Sequence, residues 1–217
     1  TGSAHPACAL PVRFQVQVLR AQPPEVVFAQ LVVGFALMRA DPRWVAINLV
    51  QPEDDFTAMR DYRLQMRMIG MLRRSSPGAH VTLHAGELWT GVAPPRDLTF
   101  HIREAVRTAG AERIGHGVDL IHEKDSAGLL REMQTFSRFN PQKPVETPLT
   151  SNEQILGVSG ARHPFPIYRR AGVPVLLATD DEGVSRSDMT EQYLLAFTRY
   201  RLRYRDLRAI ARDSLSY

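Results

Sequence analysis

Val81-Thr82-Leu83-His84-Ala85-Gly86-Glu87 passes directly from apolar residues into a histidine, two small residues and a carboxylate. Residues 81–83 read as a buried strand, with His84 and Glu87 emerging where it hands over to a loop. The design recurs. Residues 44–50 form an apolar run carrying Asn48, Arg113-Ile-Gly-His116-Gly117 is a short strand with a histidine at its end, and Val145-Glu-Thr-Pro-Leu149 gives way to Thr150-Ser151-Asn152. Residues 173–179 end in the pair Asp180-Asp181.

Helical patterns separate these runs. Residues 12–19 alternate strictly, placing Val12, Phe14, Val16 and Val18 on one face of a further strand. Pro24 and Glu25 open a helix to about residue 39, as helix first turns prefer. Met59, Tyr62, Met66 and Ile69 recur at helical spacing before Pro77-Gly78, and Leu98, Ile102, Ala105, Val106 and Ala109 form a stripe stopped by Gly110. Further helices are expected over 123–136, over 165–171, through Met189, Tyr193, Ala196, Phe197 and Tyr200, and through Leu207 and Ile210. The segment 134–143 receives no assignment.

About six strands alternating with helices call for a parallel α/β sheet. A doubly wound sheet gathers ligand groups at one switch point, whereas a (β/α)8 barrel brings many strand ends to one mouth. The even spread of polar strand ends predicts the barrel, with residues 1–11 as a flexible lead-in and 12–217 as the barrel domain. No Gly-x-Gly-x-x-Gly or phosphate-loop motif follows a strand, which argues against nucleotide-cofactor folds.

Composition fits an ordinary globular chain: of 217 residues 44% are hydrophobic and 23% charged. No apolar run reaches the roughly 18–20 residues of a membrane helix. A lone cysteine, Cys8, allows neither an internal disulfide nor a thiolate zinc site, and a cytoplasmic location is expected. The net charge of +4 does not form a nucleic-acid patch, since arginines are scattered among acids and the run 199–208 alternates with apolar residues like a solvated helix face.

His84, His116 and Asp180 offer two imidazoles and a carboxylate, a set suited to Zn2+ or a similar ion that would make bound water acidic. Glu87 could transfer a proton, and Asp181 could hold the substrate. A strand-end histidine can equally be a structural hydrogen-bonding group, and Asp180-Asp181 or Ser151-Asn152 can be helix caps. On these residues alone, a metal hydrolase and a barrel without chemistry both stay open.

His84-Ala-Gly-Glu87, Arg113-Ile-Gly-His116-Gly117, Leu149-Thr-Ser-Asn152 and Thr179-Asp180-Asp181, in this order, closely resemble the adenosine deaminase family of metal-dependent hydrolases. The resemblance covers residues 12–215. It implies that His84 and Asp180 are zinc ligands and that Glu87 protonates N1 of a purine whose C6 is attacked by hydroxide. It implies that His116, not itself a ligand, orients and helps deprotonate the attacking water, and that Asp181 bonds that water and the substrate. Ser151 and Asn152 would support the aspartates, Gly86 would contact substrate, and the partner would be a small aminopurine.

Three departures accompany the resemblance. The family's first strand supplies a His-x-His ligand pair, and no His-x-His occurs here. The strands present look like the third to the eighth, so the first two barrel strands are expected to lie in a longer protein. Val50-Gln51-Pro52-Glu53 stands where family members have a glycine-rich strand end, and Glu182-Gly183 follows the aspartates where many have proline. The rival expectation is a barrel remnant that binds purine or a protein partner without turnover.

Overall fold

The computed structural model describes residues 11–135 and 141–217. All but the last residue of the expected lead-in, and the middle of the unassigned segment 134–143, lie outside them. Six strands form one wholly parallel sheet in chain order: β1 (Phe14–Leu19), β2 (Trp44–Val50), β3 (His80–Ala85), β4 (Arg113–His116), β5 (Val145–Thr147) and β6 (Val175–Leu177). The helices are α1 (Pro24–Ala40), α2 (Phe56–Arg74), α3 (His101–Glu104), α4 (Ser126–Gln134), α5 (Leu149–Leu156), α6 (Phe165–Arg170), α7 (Glu182–Ser185), α8 (Met189–Tyr200) and α9 (Tyr204–Asp213). Strand order never reverses, which is the winding of a (β/α)8 barrel and not of a doubly wound sheet. The described residues form a six-strand section with β1 and β6 as its edges.

The two faces of the sheet differ in chemistry because side chains alternate along each strand. Val18, Ile47, Leu49, Val81, Leu83 and Ile114 point outward into the main core, together with Leu31 and Phe35 of α1 and Tyr62, Met66 and Ile69 of α2. The inward face carries Gln15, Gln17, Asn48, Thr82, His84 and Glu146 around a concave cleft. Thr82 Oγ1 donates to Gln15 Oε1 at 2.9 Å across that face. A polar inner wall cannot drive folding, so the apolar outer layer holds the section together while the inner face is left for binding.

Several boundaries differ from those the pattern predicts. β1 begins at Phe14, and Val12 and Phe14 stay exposed at the start of this edge strand, where the Phe14 ring leans on Trp44 at 5.2 Å between centroids. The stripe from Leu98 to Ala109 is fully buried, as expected, but is built from a short turn, α3 and a wide turn over Ala105–Ala109. The helix expected from residue 123 starts at Ser126, where the Asp125 carboxylate accepts from Gly128 N–H at 2.9 Å. Residues 199–208 are not one helix face: Arg201 takes a left-handed conformation and separates α8 from α9. Ser151 and Asn152 lie inside α5 and do not cap it, because Pro148 ends β5 and occupies the capping position.

Candidate active site

The carboxyl ends of β2, β3, β4 and β6 meet at one mouth. Parallel pairing sets His84 beside Gly115 and Ala85 beside His116, so neighbouring strands deliver the two imidazoles side by side. Gln51, His116 and Asp180, at the ends of β2, β4 and β6, all adopt positive φ (79°, 65° and 58°). Such left-handed backbone costs about 1–3 kcal/mol per non-glycine residue and collects at functional sites. Three such turns at one mouth re-aim the chain just where side chains must converge.

The convergence is tight. His84 Nε2 lies 3.9 Å from Asp180 Oδ1, and His116 Nε2 lies 3.9 Å from Asp180 Oδ2. The imidazole centroids are 4.9 Å apart, and each of the three residues can offer one ligand atom within 4.8 Å of the others. Glu87 Oε1 stands 3.6 Å from His116 Nδ1. Ser151 Oγ donates to Asp180 Oδ2 at 2.7 Å, and the side-chain amide of Asn152 meets His116 Nδ1 at 2.7 Å. Asp181 lines the adjoining cleft of about 410 Å³ with Glu87, Asp180 and Gln51, a size within the usual range for small-molecule sites.

The two carboxylates nearest the imidazoles are pushed in opposite directions. Burial raises the pKa of Glu87, only partly countered by His116 and His84. Burial would raise Asp180 as well, but the neighbouring imidazoles of His84 and His116 and the Ser151 hydroxyl outweigh it and hold the group at about 2. One group is thereby biased toward the acid and the other toward the anion, the separation of roles that acid–base sites use.

The tautomer of His84 suits a metal ligand. Asn48 Oδ1 accepts the backbone N–H of His84 at 3.1 Å, which identifies that atom as the amide oxygen. The same oxygen lies 3.1 Å from His84 Nδ1, so Nδ1 carries the proton and Nε2 turns a lone pair toward Asp180. A neutral imidazole with its far N–H bonded to an oxygen is the usual form of a metal-binding histidine.

Behind this wall lies a buried network that no sequence pattern announced. Glu53 accepts from the backbone N–H groups of Gly86 and Glu87 at 3.0 and 2.9 Å and meets His101 Nδ1 at 2.5 Å. Arg20 is fully buried, approaches Glu53 at 3.8 Å and donates to the carbonyls of Leu49 and His84 at 2.9 Å. Burial would raise the pKa of Glu53, but His101, Arg20 and the Gly86 N–H pull it down to about 2. Gly86, expected to touch substrate, has its N–H taken by Glu53, while its carbonyl accepts from Val118 and Asp119. A Cβ on Gly86 would fall 2.3 Å from Asp119 Oδ1, so the glycine serves a close approach behind the loop.

Residues 1–217 match the sequence profile of the adenosine deaminase family. The chain belongs to the adenosine deaminase family. Over 125 residues it is 36% identical to the adenosine deaminase of Escherichia coli strain SE11, a match that covers 57% of this chain and 33% of that protein. An adenine deaminase from Arthrobacter aurescens shares the fold at a TM-score of 0.71 and 20% identity, over 94% of this chain and 55% of that one. The apo N6-methyl-AMP deaminase of Arabidopsis thaliana aligns at a TM-score of 0.71 and 23% identity, over 94% and 53%. An amidohydrolase from Burkholderia ambifaria with bound Zn aligns at 0.65 and 19%, over 91% and 49%. This deaminase-family chain thus spans about a third of the matched curated relative and about half of each solved structure.

Proposed function

We propose that the protein containing this chain is a zinc-dependent hydrolytic deaminase that converts adenosine or a related aminopurine nucleoside to its oxo form and releases ammonia. The observation that carries this reading is the placement of Glu87, a half-buried carboxyl with a raised pKa, in one cleft with His84 and the anionic Asp180 and 3.6 Å from His116 Nδ1. Family membership supports it.

His84 and Asp180 would hold the ion, and the lone pair on His84 Nε2 and the ionised Asp180 fit that task. When bound, a divalent ion lowers the pKa of a water and supplies a nucleophile near neutral pH. Glu87 would give its proton to ring N1 as water attacks C6, neutralising the charge that attack places on the ring. Asp181 would hydrogen-bond the attacking water and the substrate's imidazole edge, with His116 beside that water. Ser151 would orient Asp180, and Asn152 would orient His116.

The cleft also supports a substrate without a phosphate. Among the described residues its lining includes the carboxylates Asp54, Asp180 and Asp181, together with the paired Glu53 and the acid-biased Glu87, and neither lysine nor arginine. An uncharged nucleoside or base meets no repulsion there, whereas a nucleoside phosphate does.

A second reading, a non-catalytic purine-binding barrel, draws on the donor set. Catalytic zinc takes about three protein ligands, and His84 and Asp180 supply two. The full-length protein decides between them. It is expected to bind about one zinc per chain, as a catalytic zinc site holds, and to release ammonia from adenosine in preference to AMP. Glu87→Gln should abolish turnover and leave zinc content unchanged. Purine binding without ammonia release would favour the second reading, and an active Glu87→Gln variant would remove Glu87 as the acid.

A further inference from the structure

A chain of buried hydrogen bonds runs from the start of α6 to the cleft. His163, with 2% of its surface exposed, sits just ahead of Pro164, and the backbone N–H of Phe165 donates to its Nδ1 at 3.0 Å. A backbone amide can only donate, so Nδ1 holds a lone pair. An imidazole in water keeps at least one ring proton, and that proton must therefore sit on Nε2. Burial and the neighbouring His116 push the pKa of His163 down to about 3, in keeping with a neutral ring.

As placed, Asn152 Nδ2 lies 2.9 Å from His163 Nε2 and Asn152 Oδ1 lies 2.7 Å from His116 Nδ1. A carboxamide has one accepting and one donating end, interchanged by a half-turn. With its nitrogen toward His163, two donors would face each other in a fully buried position. With its oxygen toward His163, every group is satisfied: His163 Nε2–H donates to Asn152, and the Asn152 NH2 donates to His116 Nδ1. Glu87 Oε1, 3.6 Å from that nitrogen, is too distant to compete. His116 then bears its proton on Nε2, the nitrogen facing Asp180.

We infer that His163, acting through Asn152, fixes the tautomer of His116 so that its Nε2–H enters the cleft as a hydrogen-bond donor. The two histidines of the cleft thus stand in opposite tautomers. His84 presents a lone pair and can ligate a metal, while His116 presents a proton and can neither ligate through Nε2 nor take a proton there. Within the deaminase reading, on which its functional meaning rests, His116 donates a hydrogen bond to the oxygen of the attacking water, and the water's proton goes to a carboxylate. This replaces the role that family resemblance implies, in which His116 helps deprotonate the water. His163 is a positioning residue, contacting neither substrate nor metal.

The test is a two-bond 1H–15N correlation spectrum of the full-length protein with 15N-labelled histidine, recorded with and without zinc. His116 and His163 are expected to be protonated on Nε2 and His84 on Nδ1; a proton on Nδ1 of His116 overturns the inference. Asn152→Asp supplies a group that only accepts, so it should draw the proton of His116 to Nδ1 and lower kcat on the order of 10²- to 10⁴-fold, with KM and zinc content little changed. A flipped tautomer with unchanged kcat overturns the functional half. If the variant does not fold, the wild-type spectra decide the tautomer by themselves. A wild-type protein that releases no ammonia would remove the deaminase reading and leave the spectra standing, so the two failures are distinguishable.

Discussion

Replacing Gly86 by alanine probes the packing behind the loop that carries Glu87 without relying on any activity. Gly86 has φ +80°, and an added Cβ would lie 2.3 Å from Asp119 Oδ1 and 2.9 Å from Ile102 Cγ1, both on buried residues. Left-handed backbone costs an alanine about 1–2 kcal/mol, and forcing a methyl into a filled site adds about 1–3 kcal/mol. The sum, about 2–5 kcal/mol, corresponds to a fall in Tm on the order of 10 °C for a domain of this size. Gly157→Ala is the matched control. Gly157 has φ +64° with nothing within 4 Å of its added Cβ, so it bears the backbone cost alone, about 1–2 kcal/mol. Denaturant melts of both variants isolate the clash as their difference. In an Asp119→Ala background part of the Gly86→Ala penalty should vanish, a non-additivity expected of touching residues. Equal destabilisation by the two glycine substitutions would refute the close packing of Asp119 on the loop.

Three further outcomes follow from the same groups. Asp119 is fully buried, with no partner on either carboxylate oxygen among the described residues, and burial, then Glu53 and Glu123, raises its pKa well above the ordinary value. An acid raised on folding contributes stability below its unfolded pKa and loses it as pH rises, so Asp119→Asn should gain over wild type by up to about 1.4 kcal/mol per pH unit above roughly pH 4. A gain that shrinks with pH in urea titrations would contradict this. Glu53 has the opposite sign: its folded pKa is depressed to about 2, so it contributes stability above about pH 4.5 that disappears toward pH 2, worth roughly 3 kcal/mol. Acid unfolding curves of Glu53→Gln should lack that component, and an unchanged curve would count against an ionised buried Glu53. Ser151→Ala removes the 2.7 Å bond to Asp180 and should weaken zinc binding about 10- to 100-fold; chelator competition showing full affinity would exclude Ser151 as support for a ligand.

Much of the site was legible because its residues follow strands whose buried stretches announce themselves. Val81-Thr-Leu and Arg113-Ile-Gly are apolar enough to mark strand ends, so His84, Glu87 and His116 stand out, and Asp180-Asp181 follows an apolar run in the same way. Glu53, Arg20 and His163 did not stand out. Glu53 follows a proline in a polar loop, Arg20 closes an exposed-looking strand, and His163 precedes an ordinary Pro-Phe helix start. Their partners lie 33, 64 and 11 residues away in sequence, at Gly86, His84 and Asn152.

By itself the sequence determined the alternation of strand and helix, the parallel sheet and the strand ends that carry chemistry, because burial imposes periodicity on local sequence. Only the tertiary structure decided which polar ends share a cleft, which carboxyl is biased toward its acid form, and which nitrogen of each imidazole bears a proton. Those properties depend on desolvation and on hydrogen-bond partners brought in from distant segments. The histidine within the decisive stretch, His84, is a ligand in form because Asn48 lies beneath it, and His116 is a donor because His163 stands two hydrogen bonds behind it.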